Sequence, residues 1–170
     1  MDNKERFSFM GREFLTWLWF ESERNNGRIE AINAGPIGVE FAQRLSLESG
    51  GNVREGSTVS AEAPAQAQEA RTALRVGKKV SRARLVLDVA DKQFEVGLDA
   101  ETLTLTNGKL PTQLGIRDEA GLDERLALLD QLEAVVDDLY LTFVRLRMVE
   151  ATWAPVREAM RAWVAEPSAD

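Results

Sequence analysis

The sequence predicts an α+β fold: an N-terminal helix, antiparallel strands with an intervening helix, then a long amphipathic helix and a shorter one. Three observations predict it. Residues 14–20 carry a wide apolar face at helical spacing, residues 37–47 and 83–98 alternate apolar and polar side chains with period two, and residues 122–146 repeat apolar side chains every seven positions. A chain of 170 residues suffices for one domain over 1–170, with a sub-division into a mixed α/β part at 1–111 and a helical hairpin at 121–166.

The opening helix runs from about Phe9 to Arg24, with Phe14, Leu15, Trp17, Leu18 and Phe20 inward and Arg12, Glu13, Glu21 and Glu23 toward water. Asn25-Asn26-Gly27 ends it, because Asn and Gly tolerate the left-handed backbone of a helix terminus. Strands follow at Arg28–Asn33 and Ile37–Glu48, divided by Ala34-Gly35-Pro36. Ser49-Gly50-Gly51-Asn52 reads as a turn and Val53–Ser60 as a weak third strand. Pro64 suits the first turn of a helix that runs to Val76 and stops at Gly77. Val80–Ala90 then places Ala83, Leu85, Leu87 and Val89 on one face, and Ala90-Asp91-Lys92 turns into a partner strand through Phe94, Val96 and Leu98. Leu103 and Leu105 lead to a turn at Asn107-Gly108. The long helix spans about Asp123 to Met148, roughly 39 Å at 1.5 Å per residue. The last, Trp153–Ala165, carries Pro155 in its first turn.

Composition removes whole classes of chemistry. Cysteine and histidine are both absent, which excludes disulfides, zinc fingers, thiol nucleophiles and His-dependent triads. The 21 Lys and Arg against 28 Asp and Glu argue against a general nucleic-acid coat, yet residues 1–90 hold 13 cations beside 12 acids. Residues 91–170 hold only 8 against 16, so the two halves carry different fields. No phosphate-loop spacing occurs at Gly35–Gly38 or Val76–Lys79. The expectation is a non-enzymatic protein without cofactor or metal. The apolar run Phe14–Phe20 is too short for a membrane span, and no leader pattern opens the chain, so the expected location is cytoplasmic, at the nucleoid if DNA is bound.

Arg71, Arg75, Lys78, Lys79, Arg82 and Arg84 form the strongest electrostatic feature, six cations with no acid between Ala70 and Leu87. Arg71 and Arg75 share a helix face, and Lys78, Arg82 and Arg84 share one strand parity. Such a patch can hold DNA phosphates; equally, it can be a solvated strand face that discourages edge pairing. Phe14, Trp17, Trp19 and Phe20 read as core, since Trp17 and Trp19 point apart on a helix. Asp123, Asp130 and Asp137, with Glu133, read as a solvated helix face more readily than as a magnesium site. Leu122, Leu129, Val136 and Phe143 repeat every seven residues beside Leu132, Leu139 and Leu146. From that stripe Leu132, Val136, Leu139 and Phe143 are the candidates for a partner helix or a homodimer contact, with burial against the last helix as the competing role.

The wording of two segments is similar to the longer RdgC-like recombination-associated proteins. One is Gly11-Arg12-Glu13-Phe14-Leu15-Thr16-Trp17-Leu18-Trp19-Phe20 followed by Ser22-Glu23. The other runs in the same order through Glu69-Ala70-Arg71, Ala73-Leu74-Arg75, Gly77-Lys78, Arg82-Ala83-Arg84-Leu85, Leu98–Leu103 and Lys109-Leu110-Pro111. The resemblance implies a DNA-associated factor that binds duplex without marked sequence preference and needs no catalytic residue. It also implies a ring-forming dimer, for which an RdgC-type amino-terminal half encoded separately is the expected partner. Two roles follow: a DNA-associated recombination protein gripping phosphates through the six cations, or an interaction subunit that docks a protein through its C-terminal helices without touching nucleic acid.

Overall fold

The computed structural model describes residues 3–49, 56–60, 68–115 and 118–166. Its architecture is α+β: a six-stranded antiparallel sheet, a helix between strands, one helix before the sheet and two after it. Helix α1 (Asn3–Arg24) precedes strands β1 (Arg28–Ala31), β2 (Gly35–Glu48) and β3 (Gly56–Ser60). Helix α2 (Gln68–Arg75), strands β4 (Lys79–Val89), β5 (Lys92–Asp99) and β6 (Leu105–Lys109), and helices α3 (Glu119–Met148) and α4 (Glu150–Ala165) complete the order. The sheet runs β1-β2-β4-β5-β6, and β2 is long enough to pair β1 with its first half and β3 with its second. The turn expected at residues 49–52 and the position of Pro64 lie outside the described residues in all but Ser49.

A helix apolar on every side must be covered on every side. In α1, Phe14, Leu15, Trp17, Leu18, Trp19 and Phe20 are all buried. The sheet lies beneath, where Trp19 meets Phe41 of β2, and the α3–α4 pair closes over the top through Phe143 and Trp163. Gly11 lets α1 approach the β5–β6 turn: a Cβ there would sit 1.7 Å from the Ala100 carbonyl oxygen. Thr16, the polar residue within the apolar run, donates to the Arg12 carbonyl and accepts the Val80 N–H at 3.0 Å, tying α1 to β4. Among the described residues no helix is long and apolar enough to cross a membrane.

Local signals stop the helices where expected. Asn26 and Gly27 are left-handed after α1. After α2, Gly77 (φ 86°) donates to Leu74 O and Lys78 N–H to Ala73 O, the paired bonds of a Schellman terminus. Two expectations need correction. Asn107-Gly108 is not a hairpin turn but a bulge inside β6, where Gly97 pairs with Thr106 and Glu95 with Lys109, leaving one extra residue at Asn107 (φ 50°). The turn lies earlier, at residues 100–103, held by the Asp99 carboxylate accepting Glu101 and Thr102 N–H. Pro155 is the sixth residue of α4 rather than part of its first turn, because α4 restarts directly after the single extended residue Val149. It gives up one helical bond, to the Ala151 carbonyl.

The long helix is anchored by Asp138, whose carboxylate accepts Asn33 N–H (2.9 Å), Asn33 Nδ2 (2.7 Å) and Ala34 N–H (2.8 Å) from the β1–β2 turn. Burial alone would raise its pKa, but those donors and Arg145 hold it below the usual aspartate range. A depressed carboxylate contributes stability that is complete above about pH 4 and disappears as pH falls through the folded value. Asp138→Asn is expected to cost about 2 kcal/mol at neutral pH, roughly 4–8 °C in melting temperature, and to shrink the loss of stability below pH 4. Thermal melts across pH 2–7 check it.

Candidate functional site

The six cations sort into three environments. Arg71 on α2 turns inward to a node shared by three helices. It pairs with Glu23 of α1, donates to the Trp163 carbonyl of α4 at 3.2 Å, and lays its guanidinium 4.5 Å from the Trp163 ring centroid. Glu23 also accepts the indole N–H groups of Trp19 (2.7 Å) and Trp163 (2.8 Å). Arg75, one turn later, donates to the carbonyls of Val164 and Glu166 and so caps α4. Both arginines face α4, and what they hold is the fold.

Arg82 and Arg84 do share the outer face of the sheet. Cross-strand register sets each beside an acid: Arg82 Nε donates to Asp99 at 2.7 Å, and Arg84 pairs with Glu95, which Lys109 also reaches at 2.7 Å. Hydrogen bonds from Lys109 and Arg84 hold Glu95 below the usual carboxylate range. Among the described side chains, Arg28, Arg82, Arg84 and Lys109 share that face with Glu30, Glu40, Asp88, Glu95 and Asp99, so these carry no excess positive charge.

Lys78 and Lys79 are separated from this pair by a bulge. The register shifts between Ser46 and Leu47, so Val80 and Ser81 are both buried and the alternation starts again at Arg82. Lys78, half-buried at the end of α2, therefore does not extend the Arg82–Arg84 row. Lys79 is half-buried beside Glu13; burial pushes its ammonium below the usual lysine range, Glu13 opposes the shift, and Arg147 and Arg12 add to it.

The seven-residue stripe of α3 splits in two. Leu132, Val136, Leu139 and Phe143, the partner candidates, are at most 5 % exposed, closed inside the chain's own core. Leu122, Leu126 and Leu129 are 56, 52 and 41 % exposed, and Leu114 in the preceding segment is 50 % exposed. Spacing of four and three places Leu122, Leu126 and Leu129 on one line. A 30-residue helix spans roughly 45 Å, and a seven-residue repeat drifts about 20° per heptad around it, so this line turns away from the side on which Gly121 and Leu128 are buried at the same end of the helix. Asp123, Asp130 and Glu133 border the line and are exposed. Among the described residues no three acids come together to hold a metal ion.

Residue spacing points to the stripe but not to which side of α3 is covered, which tertiary packing decides. Glu23, the acceptor at the centre of the three-helix node, reads from sequence as a solvated residue because two of its three donors lie 48 and 140 positions away. Comparison with protein-family models and with curated proteins finds no match to the chain.

Proposed function

We propose that the protein is a non-enzymatic interaction module that docks a basic amphipathic segment of a partner protein on the amino-terminal half of α3. The exposure of Leu122, Leu126 and Leu129 on one line carries this reading, since aligned exposed leucines are what a partner helix buries. The bordering acids select the occupant. A second copy laid along the stripe would set Asp123, Asp130 and Glu133 against their equivalents, whereas a lysine-rich helix would match them. The sequence resemblance to RdgC-like proteins supports a setting in DNA recombination, where partners that bind duplex are basic. In that setting the module reaches DNA through its partner and not through its own cations.

A synthetic leucine–lysine helix tests the proposal by fluorescence anisotropy. Saturable binding is expected that weakens with salt and falls at least about tenfold when Leu122, Leu126 and Leu129 are replaced by Ser. Equal binding by that variant overturns it. So does duplex binding by the chain alone that has a steep salt slope and is lost in R82E/R84E, which places the contact on the sheet.

A further inference from the structure

A cavity of about 400 Å³ opens between α1, the end of α2, the start of β4 and α4, and the leucine line of α3 takes no part in it. Trp153, Arg157, Met160, Arg161 and Val164 reach it from α4, at spacings that put them on one helix face, and Leu74 of α2 adds to the apolar wall. Each charged side chain around it is matched within the chain. Glu13 accepts Arg147 Nε at 2.9 Å and attracts Lys79, Arg157 pairs with Glu150 at 3.1 Å, and Arg161 pairs with Glu158 at 2.8 Å. The Thr16 hydroxyl is taken up by the Arg12 carbonyl and the Val80 N–H. Two arginines nearby show what an acid-paired guanidinium can still do. Arg147, paired with Glu13, lies 5.1 Å from the Trp153 ring centroid, and Arg71, paired with Glu23, lies 4.5 Å from the Trp163 centroid. An aromatic face attracts the cation without taking it from its acid.

We propose that this cavity binds a small uncharged aromatic molecule, held by Arg157 and Arg161 and packed on Met160 and Val164. The volume is at the lower end for small-molecule sites, which limits the ligand to a compact ring system. A charged ligand would lose its water and meet no unmatched charge among the described lining residues, so the ligand is neutral. A ring gains more than an aliphatic body of similar size, because the two guanidinium groups and the Met160 thioether all favour aromatic surface.

Methyl NMR on the intact chain reads the site directly, with the methionines labelled at the methyl carbon. Indole is the probe, indoleacetate keeps the ring and adds a charge, and hexanol keeps a comparable apolar body without a ring. Indole is expected to shift the Met160 methyl saturably while leaving the exposed Met148 in place, and the other two to bind at least about threefold more weakly. Val164→Trp fills the cavity and is expected to abolish the shift. Arg161→Gln, at an exposed position, is expected to weaken indole about two- to fivefold and to leave hexanol unchanged, and it gives a second reading if the tryptophan variant does not fold. The proposal is overturned if indole fails to shift Met160, if indoleacetate or hexanol matches it, or if the folded variants bind indole like the parent.

Discussion

Phe143→Ala is expected to destabilise the protein by about 3–5 kcal/mol, a fall in melting temperature of roughly 6–20 °C, with no change in oligomeric mass. Phe143 is fully buried and sits among rings from three helices: Phe14 and Trp17 of α1 at 5.7 and 5.5 Å, Tyr140 of α3 at 6.3 Å, and Trp153 of α4 at 5.8 Å. Truncation removes all these contacts at once and leaves a cavity between elements that cannot close without moving a helix. Circular dichroism melts beside light scattering check it. An unchanged melt with an altered mass would move Phe143 from the core to an interface.

Glu23→Ala carries the next largest effect, about 3 kcal/mol. Its carboxylate accepts two indole N–H groups and the Arg71 guanidinium, so its removal leaves three donors, one of them cationic, without that acceptor in a partly buried site. Partial exposure of the pair lets water compensate some of this, which keeps the figure below that of a fully buried ion pair. Glu23→Gln retains the shape and one acceptor oxygen, and is expected to lose about half as much. Urea unfolding followed by tryptophan fluorescence measures both, since Trp19 and Trp163 report on the node itself. Equal stability of Glu23→Ala and the parent would mean that Arg71 is not held there and is available at the surface.

Signals that act within a few residues were legible in the chain. Asn25-Asn26-Gly27 and Gly77 end helices as their backbone freedom dictates, Ala90-Asp91 turns a hairpin, and Phe14–Phe20 is core. The candidate site was legible as a set of residues and not as an arrangement. A run of cations without acids in sequence becomes a set of matched pairs in space, because Asp99 and Glu95 arrive by strand register and Glu23 from the other end of the chain. One bulge at Val80–Ser81 cancels the parity that aligned Lys78 with Arg82. Asp137 and Asp138 show the same limit at neighbouring positions. The seven-residue spacing singled out Asp137, which is exposed, while Asp138 holds the β1–β2 turn through bonds across more than a hundred positions.

The stripe of α3 carries the same lesson into function. Period seven continues unchanged from Leu122 to Phe143, yet Leu122 and Leu129 are exposed and Val136 and Phe143 buried, because the repeat drifts around a 3.6-residue helix while Gly121 and Leu128 keep to the buried side. Burial of the second half stabilises the fold; exposure of the first half keeps apolar area in water that a partner can remove.

Matched substitutions on the two halves, Leu126→Ser and Leu132→Ser, test that division most directly when each protein is melted and then titrated with the leucine–lysine helix. Leu126→Ser is expected to melt like the parent and to lose peptide affinity, whereas Leu132→Ser is expected to melt at least about 6 °C lower. A Leu126→Ser protein that unfolds as early as Leu132→Ser, or that holds the peptide as tightly as the parent, would contradict a docking role for this end of α3.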